Sequence, residues 1–294
     1  MLRSTRANLI LLLITAIWGM TFPLVQMAVQ IVSPAFLVLI RFALAAILFI
    51  PFIIYCKWRD YRLIFWAGLF IGIFSGASYL FQAIGLLTIP ASRSAFITSL
   101  AVVLVPLFMP FFKLGHPRML DYVAAVLCLV GIYILSGASF HTLSRGDAWT
   151  FLGAVTYSLA LLGIQVYSAK YPTQVKLLAF YQILFTIPLA AAWLPPLAWS
   201  ALLHTKVWIP ILYCTVLATC VVFYLQMRYQ KDTTPTKAVL IFTLEPVFAT
   251  FFAYLLQHEV VTRDIFMGGA IIIISTILTD VDVYLKTRRG KKNV

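Results

Sequence analysis

Acidic side chains are scarce in this 294-residue chain, with nine Asp and Glu against 22 Lys and Arg, and only 11% of residues are charged. A soluble domain carries roughly 25% charge. The charges here are too few to coat a water-facing surface, which excludes a water-soluble globule. The four histidines, His116, His141, His204 and His258, lie in connections, and Cys56, Cys128, Cys214 and Cys220 form no CxxC pair. That pattern speaks against a metal centre and against a disulfide framework, and the cysteines read as small buried hydrophobes. HExxH, GxSxG, P-loop and paired acidic motifs are missing too, so neither a catalytic constellation nor a cofactor is expected.

What the chain has in abundance is apolar length. Hydrophobic residues make up 63% of it, and a helix needs about 20 consecutive apolar residues to cross a bilayer. Such runs fall at Ala7–Val29, Pro34–Tyr55, Ile64–Leu87, Ala91–Phe112, Met119–Ser136, Asp147–Ala169, Val175–Trp193, Val207–Tyr229, Pro235–Leu256 and Ile265–Leu285. Backbone polar groups cannot face lipid unpaired, so each run predicts a helix, and the short connections leave no separate extramembrane domain. The first run is too long for the apolar core of a secretory signal and is expected to be retained.

A net charge of +13 would point a soluble protein toward nucleic acid. In a membrane protein the placement of cations matters more than their sum, and no nucleic-acid partner is expected. Seventeen Lys and Arg, from Arg3 to Lys292, fall in the connections of one side, against Arg145, Lys206 and Arg263 on the other. The basic excess marks the cytoplasmic side. Both termini are therefore expected in the cytoplasm, in a multi-pass protein of the cytoplasmic (inner) membrane.

The two halves echo each other about 140 residues apart. Ala16-Ile17-Trp18-Gly19 is answered by Gly153-Ala154-Val155-Thr156-Tyr157, Arg41-Phe42 by Tyr181-Gln182, Gln82 by Gln226, and Pro106-Leu107-Phe108 by Pro246-Val247-Phe248. Five spans per half is an odd number, so the second half must enter the membrane in the opposite sense. The expected fold class is an all-α integral membrane protein of ten transmembrane helices, arranged as two inverted five-helix repeats over residues 1–142 and 143–294. Secondary transporters place their site between such repeats.

Glu245 is the acidic residue deep inside a run, ten residues past Pro235 and so about 15 Å into the membrane. A carboxyl there must face a cavity, pair with a cation or hold a proton; substrate or proton binding and a structural helix bridge are equally open. Pro246 removes a backbone hydrogen bond beside it, which points to a hinge or polar pocket at that depth. With the cations at run ends counted to the connections, Arg41 and Arg93 are the two taken as intramembrane. Snorkelling to the outer interface is the simpler reading of both, and an anion-attracting vestibule or a partner for Glu245 is the alternative. Trp18, Tyr79, Gln82, Tyr157 and Gln226, with Gln26, Gln165 and Tyr224, offer polar groups on amphipathic bodies, and Tyr79 and Gln82 share a helix face. They suit a cavity for a small amphipathic solute or hydrogen bonds between helices. Gly68, Gly72 and Gly76 recur every fourth residue, the small-xxx-small spacing of close helix packing.

Taken together the residues resemble the EamA type of the drug/metabolite transporter superfamily. The likeness rests on Trp18-Gly19 with Phe22, Gln82 with Ser94-Ala95-Phe96, and Leu244-Glu245-Pro246-Val247-Phe248 followed by His258-Glu259 and Gly268. Members often carry a Gly-Glu pair after the fourth helix of each repeat; here the second repeat has His258-Glu259 and the first has Gly115-His116, without the acid. The resemblance implies a secondary transporter for small metabolites such as amino acids, working by alternating access. Export is the expected direction, with import or exchange, or less readily a membrane-embedded enzyme, as alternatives. It also implies substrate contacts at Trp18, Tyr79, Gln82, Tyr157, Gln226 and Glu245. The partners it implies are a small-molecule substrate, the lipid bilayer and a proton as candidate coupling ion.

Overall fold

The computed structural model describes residues 2–54, 61–136, 144–195, 205–258, 263–264, 267–275 and 278. Helical segments follow the apolar runs in order: α1 (Leu2–Val29), α2 (Pro34–Ile53), α3 (Tyr61–Gly85), α4 (Ala91–Phe112), α5 (Met119–Ser136), α6 (Arg145–Lys170), α7 (Val175–Ala192), α8 (Thr205–Asp232) and α9 (Pro235–Gln257). Among the described residues, eight of these are long and apolar enough to cross a bilayer, and α5 holds a shorter apolar stretch, Met119–Gly131. The tenth expected run, Ile265–Leu285, lies largely outside the described residues, of which 267–275 are helical.

Local chemistry sets the helix ends. The Ser33 side chain accepts a hydrogen bond from the Phe36 N–H ahead of Pro34, and Thr234 accepts from the Lys237 N–H ahead of Pro235. Ser144 and Asp147 close a capping box at the start of α6. The outer faces are apolar, with Leu9, Ile47, Trp66 and Ile209 all more than 60% exposed, while Thr15, Ser94, Thr186 and Thr219 are fully buried. This distribution inverts that of a soluble protein and suits a lipid surround.

The halves interlock. α3 packs on α6 and α7, α1 on α8 and α9, α2 on α7 and α8, and α4 on α6 and α9. The glycine stripe of α3 lies against α7, as its spacing predicts. Gly68 abuts Tyr181, a Cβ on Gly72 would sit 2.7 Å from Phe185 Cβ, and one on Gly76 would sit 3.0 Å from Thr186 Oγ1. Gly19 of α1 abuts Phe248 of α9 in the same way. The Arg6 guanidinium lies 5.4 Å from the Tyr229 ring centroid, which brings the start of α1 to the end of α8.

Three helices depart from regularity. α4 breaks at Ser99–Leu100 and α9 at Thr243–Leu244. In α9 the cause is Pro246: it has no N–H to offer the Phe242 carbonyl, and a new helix starts at Glu245. α8 stays continuous but winds into a π-helix over Val216–Val221, a geometry that takes in an additional residue and disturbs the regular backbone ladder.

Candidate functional site

Between the halves, Trp18 of α1, Tyr79 of α3, Tyr157 of α6, Gln182 of α7 and Gln226 of α8 line a cavity with room for about one water molecule. Trp18 and Tyr157 meet edge to face with centroids 6.0 Å apart, and Tyr79 stacks on Phe223 at 5.9 Å. Trp18, Tyr79, Tyr157 and Gln226 thus converge. Glu245, 6% exposed, lies within electrostatic reach of the Tyr79 and Tyr157 hydroxyls. It opens the second half of α9, where unsatisfied backbone N–H groups gather. Gln82 goes elsewhere: its Nε2 donates to Thr98 Oγ1 of α4 at 3.3 Å, so the face it shares with Tyr79 is divided between the cavity and α4.

Polar atoms around the cavity are short of partners. The Tyr157 hydroxyl and Gln182 Oε1 are buried and make no hydrogen bond to the described residues, although Gln182 Nε2 donates to Ser75 Oγ at 2.8 Å. Gln226 Nε2 donates to Gln230 Oε1, and Gln230 Nε2 donates to the Leu161 carbonyl of α6, both at 2.9 Å. A buried polar atom left unpaired costs about 1–3 kcal/mol. Two of the residues lining the cavity thus carry polar atoms that a bound polar group or water would satisfy. Gln182 stands outside the set expected from sequence; its only signal there is the repeat, in which Tyr181-Gln182 answers Arg41-Phe42.

Arg41 overturns the snorkelling reading. It is 3% exposed and turned into the protein: Nε donates to Thr219 Oγ1 at 2.7 Å and Nη2 to the Ala218 carbonyl at 3.3 Å. Its guanidinium lies 4.6 Å from the Tyr79 ring centroid and 5.2 Å from that of Phe42. Trp18 Nε1 donates to the same Ala218 carbonyl at 3.3 Å. Both acceptors belong to the π-helical turn of α8. An arginine inside a membrane costs about 3 kcal/mol by insertion measurements, and the π-turn acceptors with two aromatic faces offset part of that by replacing its hydration. Arg93 neither snorkels free nor reaches Glu245. Its Nε and Nη2 donate to the Asp147 Oδ1 and Oδ2 at 2.7 and 2.8 Å, a two-pronged bond that ties α4 to the capped start of α6.

Among the described residues no three His, Cys, Asp or Glu side chains converge as a metal site. Cys128 and Cys214 are buried and Cys220 is half-buried; Cys56 lies outside the described residues.

The sequence model of the EamA-like transporter family matches residues 5–137 and again 144–279. A protein of Archaeoglobus fulgidus named "Uncharacterized transporter" is 31% identical over 280 residues, covering 94% of this chain and 86% of its own length. A second such transporter of that organism is 26% identical over 135 residues, 45% of this chain and 48% of the other. A solved protein crystal structure with 17% identity superposes at a TM-score of 0.73 over 94% of this chain and 97% of that one, a likeness of fold alone. Two tandem family matches and a relative above 30% identity over almost the whole length agree with the lipid-facing helical build: the chain belongs to the EamA-like transporter family and is a membrane-embedded transporter.

Proposed function

We propose that the protein is a secondary transporter that carries a small metabolite, an amino acid or related amphipathic compound, out of the cytoplasm by alternating access. The observation that carries this reading is the cavity: both halves build it, Trp18, Tyr79 and Tyr157 stand in its wall, and two of its lining residues, Tyr157 and Gln182, have buried polar atoms without a hydrogen bond. An architecture of ten helices in two inverted repeats is supported by the helix pairings. Exchanging each helix with its counterpart five places away turns α1 on α9 into α6 on α4 and α3 on α7 into α8 on α2, and leaves α2 on α7 unchanged; every one of these pairs is in contact.

The cavity holds too little space for a metabolite, so transport requires the halves to part on one side at a time. The break before Glu245 supplies a hinge within α9. The Arg93–Asp147 fork, at the ends of α4 and α6 that the basic bias assigns to the outside, holds that side together. Counterflow in proteoliposomes tests the reading. Uptake of a labelled solute is expected to rise when the liposomes are preloaded with the same unlabelled solute, and absence of this stimulation across a metabolite panel would leave a channel or an enzyme instead.

Orientation has its own test. Cysteines placed at Leu87 and Lys206 should react with an impermeant reagent on intact cells, and those at Thr173 and Lys176 only after permeabilisation. The opposite labelling would put Arg93 and Asp147 at the cytoplasmic end.

A further inference from the structure

We propose that Arg41 is the residue that binds the cargo, through a carboxylate that the cargo must carry. The inference rests on the transport reading above and adds to it a residue and a ligand chemistry. Arg41 is a permanent cation buried in the bundle, and no carboxylate lies within ion-pair distance of it among the described residues. Its neighbours are all neutral: the Thr219 hydroxyl, the Ala218 carbonyl, and the rings and hydroxyl of Phe42 and Tyr79. A guanidinium offers five N–H donors in a planar fork that matches a carboxylate edge. These neighbours leave donors over.

The position matters as much as the charge. Two side chains separate the guanidinium from the cavity, and both are bound to its surroundings: Tyr79, against whose ring it stacks, and Trp18, which shares the Ala218 carbonyl with it. Cargo binding therefore requires Tyr79, which lines the cavity and stacks on the guanidinium, to turn aside. Glu245 and Tyr157 lie within electrostatic reach of the same Tyr79, and Cys214 and Cys220 lie within reach of Arg41 itself. A structural cation would be expected to pair with the nearest acid; here Arg41 and Glu245 both act on Tyr79, and no ion pair joins the two among the described residues. A structural arginine bridging α2 to α8 is the competing account, and it makes no demand on cargo chemistry.

The test uses the full chain in liposomes, with acetate, lactate, succinate, the common amino acids and the methyl esters of each as probes in counterflow. The wild type should exchange one or more of the free acids and bind its ester more weakly by roughly tenfold to a hundredfold, the loss expected on removing a charged hydrogen-bonded partner. Arg41→Lys keeps the charge without the fork and should raise the KM for the acid while keeping its preference over the ester. Arg41→Gln should accept acid and ester alike. The proposal is overturned if wild type takes esters as well as acids, or if folded Arg41→Gln retains the preference. Should Arg41→Gln fail to fold, the acid-against-ester comparison in wild type decides. Exchange of esters without acids would sink the carboxylate assignment and leave transport standing, whereas exchange of nothing in the panel would sink both.

Discussion

Leucine in place of Gly72 should leave almost no folded protein in the membrane. The Cβ alone would come within 2.7 Å of Phe185 Cβ and 3.1 Å of the Gln182 carbonyl, and the three further carbons of leucine have only α7 in front of them. Overpacking a well-filled core costs about 1–3 kcal/mol when neighbours can adjust. Here the obstacle includes backbone, and relief requires α3 and α7 to separate along the stripe that also holds Gly68 and Gly76. Since stability is of the order of 5–15 kcal/mol, such a separation consumes a large part of it. Alanine should give an intermediate loss, read as a lowered melting temperature in detergent. Gly269, whose nearest foreign atom lies 3.6 Å from a built Cβ, should accept alanine with little change. A Gly72→Leu protein that melts near wild type would mean that the α3–α7 contact is not a fixed part of the fold.

Replacing Glu245 with Gln should abolish solute accumulation driven by a pH gradient while leaving exchange between two solute pools intact. Gln keeps the size and hydrogen-bonding shape of the protonated acid but cannot release the proton. Glu245 suits a coupling role because it sits at the break in α9, is buried, and has the Tyr79 and Tyr157 hydroxyls within electrostatic reach while forming no ion pair among the described residues. A site that loads a proton on one side and discharges it on the other needs such neutral neighbours, because a permanent ion pair would lock its charge state. The measurement is counterflow and gradient-driven uptake on the same liposomes. Loss of both activities would move Glu245 into direct contact with the solute, and retention of both would make it a helix bridge.

Apolar run length made the spans legible in the sequence, because a helix that faces lipid has no alternative to continuous hydrophobicity. The caps at Ser33 and Ser144 that set the helix ends emerge only in the structure. The glycine stripe was legible for a related reason: spacing of four places small residues on one face whatever lies opposite. Rotation about the helix axis was not. In α2 the residues around Arg41 are apolar on every side, so nothing in the pattern distinguishes an inward arginine from one that reaches outward along the lipid. Its acceptors belong to a π-turn 177 and 178 residues away in sequence. The same limit applies to Tyr79 and Gln82, whose common face was readable but whose separate destinations depend on where α4 passes. Asp147 was hidden differently, because a capping residue at a helix start already has a sufficient local role and gives no hint of Arg93.

The π-helical turn of α8 acts as a phase shifter. An α-helix advances about 100° per residue, so one surplus residue in Val216–Val221 rotates all that follows by that angle relative to all that precedes it. Without it, Phe223 would swing off Tyr79, Gln226 off the cavity wall and Gln230 off the Leu161 carbonyl, although their order along the chain would be unchanged. One rod thereby presents one azimuth to α1 and α2 and a different azimuth to α6. A one-residue gain or loss within this turn is accordingly a rotation of half a helix, and relatives that differ there by a single gap differ in which side chains their cavities see.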